Sequence, residues 1–192
     1  KFYKDYGANG FVLLVVDHYS RYAFTAHLQN KKEASIAKAL PALLDRAEAM
    51  GRAARPDLLA KQRAINSMRS DNGGEFKGEV LQILKDRKIN NIKALSGTPQ
   101  SNAIVERTVG TIRRNLAKQF IINPRSWRSL LVGVTDVYNK KYNKTIKQTP
   151  HDAAQDMTNA VTEARRAEER EQQEGPTKSD RDDFKVGQRV LL

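Results

Sequence analysis

The stretch FVLLVVDHYSRYAFTAHL, residues 11–28, contains two apolar segments separated by a short polar one. Its first part, FVLLVV, is continuously apolar, which is typical of a strand buried on both faces. The second part, RYAFTAHL, follows a Tyr-Ser turn and is rich in aromatic and β-branched residues. The pattern therefore predicts an antiparallel hairpin, with Asp17 at the end of its first strand.

Downstream of this hairpin, helical and strand patterns alternate. Residues 31–50 predict a helix that Pro41 would kink and Gly51 would end, and Asn30 and Glu33 have the spacing of a capping box at its start. The later predicted elements are a strand at 64–70, a helix around 76–89, a strand at 89–95, a helix from Ala103 to Ile122 and a helix from Pro124 to Tyr142. The alternation indicates an α/β fold, a mixed sheet flanked by helices.

Composition limits the class of protein. The chain has 192 residues and 39% hydrophobic content, enough for one domain with a real core and a short appendage. Lys and Arg outnumber Asp and Glu by 34 to 22, a formal net charge of +12, and the basic excess lies within residues 1–156. A polyanion such as nucleic acid is the expected partner class, and basic charge that serves solubility alone is the alternative. The longest apolar run is too short to span a membrane, and the absence of cysteine excludes disulfides and Cys-based zinc sites.

The C-terminal part differs in composition from the rest. Residues 158–183 are charged nearly throughout and predict a solvated helical linker, so the main domain is expected to cover residues 1–157. Residues 184–192 alternate in polarity, as in the first strand of a small β module.

Three acids follow predicted strand ends or begin a helix. Asp17 follows FVLLVV, Asp71 opens the turn in SDNGGEF after the strand at 64–70, and Glu106 lies in the first turn of the helix that starts at Ala103. Each has an ordinary structural explanation, either turn chemistry or a favourable interaction with the helix dipole. Together they occupy the sheet edge at which α/β proteins place ligands, and divalent metal would relieve the repulsion between converging carboxylates.

The segments VVDHYSRY, SDNGGEF and TPQSNAIVER together resemble the catalytic core of the retroviral-type integrases, and are most similar to those of gypsy-type retrotransposons and Polinton/Maverick elements. This resemblance covers roughly residues 2–157 and implies a ribonuclease-H-like fold with a mixed five-stranded sheet. By the same resemblance Asp17, Asp71 and Glu106 would form a DDE triad that holds two Mg²⁺ or Mn²⁺ ions. The segment VGQRVLL resembles the entrance to the SH3-like domain that follows such cores.

The activity implied is that of a metal-dependent polynucleotidyl transferase, which processes the DNA ends of a mobile element and joins them to target DNA. The resemblance also implies double-stranded DNA and further copies of the chain as partners, in the nucleus of a eukaryotic host. Candidate DNA contacts lie near the acids and along the helix that carries Glu106, and solvated surface charge is the alternative for the basic ones. These candidates are Asn72, Gln100, Ser101, Asn102, Arg107, Arg113, Arg114 and Lys118.

Two other functions are compatible with the sequence. A domesticated integrase-like protein would bind DNA without chemistry, although retention of all three acids argues against it. A nuclease of related fold would cut DNA without joining it. Trp127 could stack on a base, but its spacing with neighbouring apolar residues favours a place in the core.

Overall fold

The computed structural model describes residues 10–56, 58–59, 62, 64–70, 76–93, 103–122 and 126–155. All of them belong to the first of two units into which the chain divides, Lys1–Asp156 and Met157–Leu192. Several predictions concern residues outside the described ranges. These are the linker at 158–183, the SH3-like strand at 184–192, and the site residues Asp71, Asn72, Gln100, Ser101 and Asn102.

Strands and helices alternate along the described residues. The elements are β1 Phe11–Val16, β2 Ala23–Leu28, α1 Glu33–Ala53, β3 Ser67–Ser70, α2 Gly78–Asp86, β4 Asn90–Lys93, α3 Ala103–Ile122, α4 Trp127–Lys140 and α5 Pro150–Gln155. The predicted mixed α/β class is therefore confirmed, and β3 begins at Ser67, three residues later than the sequence pattern indicated.

The strands pair in two sets. β1 and β2 form the predicted antiparallel hairpin, with Phe11 opposite Leu28 and Val16 opposite Ala23. β3 and β4 pair in parallel and are connected through α2. Within the described residues these are two separate two-stranded sheets, so the five-stranded sheet remains a prediction.

Helices pack on the hairpin through two apolar clusters. The first joins the hairpin to α1 and α2, and its most deeply buried members are Leu40, Leu44, Val80 and Leu84. The second joins Ala23 to α3 and α4 through Ile112, Leu116, Trp127, Leu131, Val134 and Tyr138. Phe24 belongs to the first cluster and Ala23 to the second, because successive side chains of a strand point to opposite faces. Trp127 is only 7% exposed, which confirms its place in the core.

Two local predictions for α1 are wrong. Gly51 does not end the helix, which continues to Ala53; instead a Cβ at Gly51 would lie 2.8 Å from the Cβ of Ala64, so glycine permits close packing there. Asn30 is not the N-cap. Its Oδ1 accepts hydrogen bonds from the Lys32 amide and the Ser35 hydroxyl, while Glu33 reaches another helix.

Candidate active site and nucleic-acid interface

Asp17 builds the turn between β1 and β2. Its backbone amide donates to the carbonyl of Tyr22 at 2.9 Å, and its carbonyl accepts from the amide of Arg21 at 2.9 Å. Its Oδ2 accepts hydrogen bonds from the amide and the hydroxyl of Ser20, at 2.7 and 2.6 Å. The two bonds described for this carboxylate therefore both serve the turn, as the alternative explanation of Asp17 expects.

Asp71 is the residue after the last residue of a parallel strand. β3 ends at Ser70, which is buried and lies opposite Lys93 of β4. The C-terminal edge of parallel strands is where α/β folds commonly place ligand-binding groups. Asp71 itself lies outside the described residues, so its place at this edge stays a prediction.

Glu106 lies in the first turn of α3 and is exposed to solvent. Within the first turns of this helix, the buried Thr108 donates its hydroxyl proton to the carbonyl of Ile104 at 2.9 Å. A carboxylate in this position is favoured by the unpaired amides and the positive dipole end of the helix. Glu106 is therefore accessible at the start of a helix whose opposite side is buried at Thr108.

Tyr138 links the helix that carries Glu106 to the turn that contains Asp17. The Tyr138 hydroxyl lies 3.1 Å from the Thr108 hydroxyl oxygen and 3.2 Å from the carbonyl oxygen of Arg21, and its one proton can be donated to either acceptor. The structure thus brings two of the three predicted acids onto neighbouring elements. Among the residues it describes, no group of three or more His, Asp or Glu side chains is gathered as a metal site would require.

Four cations share one side of α3 with Glu106. At 100° per residue, Arg113 is almost in line with Glu106, and Arg107, Arg114 and Lys118 cluster on the adjacent side. All four are exposed, whereas Thr108, Ile112 and Leu116 form the buried side. We call Arg107, Arg113, Arg114 and Lys118 the α3 basic face. It offers positive charge along about three turns that begin at the predicted acid.

His27 is a half-buried titratable group on the second strand of the hairpin. Its ring lies 5.2 Å from the Trp127 ring, and its Nε2 is buried without a hydrogen-bond partner among the described residues. A Cβ on Gly10 would lie 2.7 Å from this nitrogen, so glycine is needed for the close approach. Burial, with the nearby charge of Arg128, lowers the pKa of His27 below its ordinary value.

No family profile and no curated protein matches the sequence of the chain. Solved structures do match its fold. The crystal structure of the catalytic core domain of BIV integrase matches with a TM-score of 0.57 and 17% sequence identity, over 83% of this chain and 90% of that chain.

A second match is the cryo-EM structure of the simian T-cell lymphotropic virus intasome in complex with PP2A regulatory subunit B56 gamma. Its TM-score is 0.58 at 18% identity, over 76% of this chain and 52% of that chain, so this chain spans about half the length of that protein. None of the described helices combines the length and apolar character needed to cross a bilayer. The likeness shows that this chain has the fold of an integrase catalytic core.

Proposed function

We propose that this chain is the catalytic core of a metal-dependent polynucleotidyl transferase, which processes the ends of a mobile element's DNA and joins them to target DNA. The observation that carries the proposal is the position of Glu106. It is exposed at the start of α3, on the side of that helix that also carries the α3 basic face. The integrase-type fold supports the same function, and the resemblance to gypsy-type or Polinton/Maverick integrases is the finer form of the proposal.

The residues proposed to hold two Mg²⁺ or Mn²⁺ ions are Asp17, Asp71 and Glu106. Carboxylate oxygens are the ligands that these hard cations prefer, and the chain contains no cysteine that would favour a softer metal. The exposed carboxylate of Glu106 suits such a site, while Oδ2 of Asp17 is engaged by Ser20, so Asp17 would offer its other oxygen. When bound, the ions would activate the attacking oxygen and stabilise the leaving oxygen of a phosphodiester.

The proposed role of the α3 basic face is to position DNA. Guanidinium and ammonium groups neutralise phosphates and fix the register of a duplex without reading its sequence. Because this face begins at Glu106, a strand that follows it brings one phosphodiester to the acid end of α3. Asn72, Gln100, Ser101 and Asn102 are proposed to contact DNA near that bond.

The chain is also proposed to associate with further copies of itself. The outer side of α4 exposes Val132 and Val137, at 62% and 60%, and apolar residues so exposed suit contact with a second copy of the chain. Val132→Lys is expected to weaken any oligomer seen by analytical ultracentrifugation.

The chain is further proposed to act in the nucleus of a eukaryotic host. A fluorescent fusion expressed in the host cell would test this location.

The proposed function is tested by incubating the full-length protein with labelled element-end DNA and Mg²⁺ or Mn²⁺. Joined products support the transferase. Cleavage without joining would instead support a nuclease of related fold, and binding without any chemistry would support a domesticated DNA-binding protein. In either of these cases the proposed function would be rejected.

A further inference from the structure

The connection between α4 and α5 is strongly basic. Four lysines fall within the eight residues 140–147, and no Asp or Glu occurs at positions 137–151. All four lysines are exposed to solvent. We call residues 140–147 the lysine loop. Lys140 ends α4 and suits the negative end of that helix, but the helix dipole does not account for Lys144 and Lys147, which lie beyond its last turn.

The lysine loop has an ordered backbone. Asn143 and Gln148 form an antiparallel bridge, in which the Asn143 amide donates to the Gln148 carbonyl at 2.9 Å. Oδ1 of Asn143 accepts from the amide of Thr145 at 2.9 Å. Ile146 is only 5% exposed and anchors the loop in the interior. The exposed lysines thus stand on a closed turn, which has less backbone entropy to lose when a ligand binds.

Lys147 has a backbone conformation that lysine rarely adopts. Its φ is +53°, in the left-handed region that favours glycine. A lysine there carries a conformational cost that glycine would avoid. Costs of this kind are concentrated at functional sites, where the side chain has a task. The turn alone therefore does not explain a lysine at position 147.

An exposed aromatic ring stands among these lysines. Tyr142 is 61% exposed, follows Lys141 directly and precedes Lys144 by two residues. Lysines neutralise phosphates, while an exposed ring offers a face on which a base can stack. The bases of a duplex are already stacked on one another, so only unpaired nucleotides can use such a ring. The combination of ring and charge therefore fits single-stranded nucleic acid.

Both ends of the lysine loop contact the start of β2. Before the loop, the Asn139 side chain bonds to the amide and the carbonyl of Ala23. After the loop, the ring of His151 lies 6.5 Å from the ring of Tyr22. Tyr22 accepts a hydrogen bond from the amide of Asp17, so these contacts adjoin the turn that carries the first predicted acid. The loop thus leaves and rejoins the fold beside that turn.

We propose that the lysine loop binds single-stranded nucleic acid, with Tyr142 stacking on a base and the lysines contacting phosphates. Any part of the loop in DNA joining rests on the proposed function, because an unpaired DNA end held there would lie beside the Asp17 turn. The binding itself needs neither metal nor the three acids. It also uses a different element from the α3 basic face, whose proposed ligand is a duplex.

Fluorescence anisotropy on the full chain in metal-free buffer tests this inference. The probes are a labelled oligothymidylate of about 20 nucleotides, longer than one binding site, and a duplex of the same length. Tyr142→Ala is expected to lower the affinity for oligothymidylate at least about fivefold, the low end for one lost stacked base, and to leave duplex affinity unchanged. Tyr142→Phe keeps the ring and should bind both probes as wild type does.

Lys147→Gly separates the charge of this residue from its backbone conformation. Glycine accepts the positive φ at this position, so the fold should be retained, which thermal unfolding would show. Loss of one phosphate contact should reduce the slope of log affinity against log salt for oligothymidylate by about 0.7. Lys38→Ala, at an exposed lysine of α1, is the matched control and should leave the slope unchanged.

Wild-type affinity of Tyr142→Ala for oligothymidylate would overturn the inference. So would an equal loss of affinity for oligothymidylate and duplex, because the ring would then not select unpaired bases. A slope for Lys147→Gly equal to that for Lys38→Ala would overturn it as well. A chain that binds oligothymidylate through Tyr142 and Lys147 but joins no DNA would refute the proposed function and leave this inference standing.

Discussion

The side chain of Asn139 forms two hydrogen bonds with the backbone of Ala23, as a neighbouring strand would. Its Oδ1 accepts from the Ala23 amide at 2.8 Å, and its Nδ2 donates to the Ala23 carbonyl at 2.9 Å. Both residues are almost fully buried, with exposures of 2% and 1%. Helix α4 thus supplies hydrogen-bond partners at the edge of β2 that faces away from β1. Without Asn139, the buried amide and carbonyl of Ala23 would be unpaired.

Asn139→Ala should therefore destabilise the fold strongly. Two buried backbone groups lose their partner, which predicts a decrease of about 2–4 kcal/mol in the free energy of unfolding. Denaturant unfolding followed by circular dichroism measures this decrease. Lys140→Ala, an exposed neighbour on the same helix, is the control and should change stability by less than about 0.5 kcal/mol. Equal stability of the two variants would contradict the assigned role of Asn139.

Asp71→Asn should abolish both cleavage and joining while leaving DNA affinity largely unchanged. The substitution would remove the charge of a proposed metal ligand, whereas the proposed DNA affinity would come mainly from contacts between cations and phosphates. Parallel measurements of activity and of binding to element-end DNA separate the two effects. Joining at the wild-type rate would show that Asp71 is not a metal ligand.

Asp17 and Ser20 together test whether the first acid belongs to the metal site or to the turn alone. Ser20→Ala removes the hydroxyl bond to Oδ2 and should cost about 1 kcal/mol of stability without loss of joining by the folded protein. Asp17→Ala removes both bonds to Oδ2, so it should cost at least as much and, if Asp17 is a metal ligand, abolish joining. If both variants lose stability and both still join DNA, Asp17 acts in the turn only.

The α3 basic face should control the salt dependence of DNA binding. Each of Arg113→Ala, Arg114→Ala and Lys118→Ala is expected to reduce the slope of log affinity against log salt by about 0.9, the value for one lost phosphate contact. Lys85→Ala on α2 is the control, because that exposed lysine lies on a different helix. Slopes that are equal in all four variants would exclude the α3 basic face as the DNA contact.

His27 should make stability depend on pH. Its folded-state pKa lies below the ordinary value of 6.5, so the unfolded chain binds the proton more readily. Its contribution is present above pH 6.5 and is lost as pH falls from 6.5 towards the folded-state pKa. Unfolding measured between pH 5 and 8 should show a shallower slope for His27→Gln than for wild type.

The periodicity of apolar residues was sufficient to predict the order of strands and helices and the buried face of each long helix. The helical spacing of Ile112 and Leu116 predicts which side chains avoid water, because burial is the dominant favourable term in folding. The continuous apolar run of β1 overstates burial, since Val12 is 39% exposed. The order of the three acids along the chain was likewise readable from the sequence. The capping box at Asn30 shows the limit of such local reasoning, since Glu33 has the right spacing and yet caps another helix.

The sequence by itself determined the strand and helix order, the basic charge and the chain positions of Asp17, Asp71 and Glu106. Only the tertiary structure decided which polar groups pair over long distances in the chain. Asn139 with Ala23, Glu33 with Glu79 and Tyr138 with Arg21 carry no local signal, because a hydrogen-bond partner is chosen by how the apolar faces pack. Once that packing brings a buried polar group to a position, the cost of leaving it unpaired selects the partner.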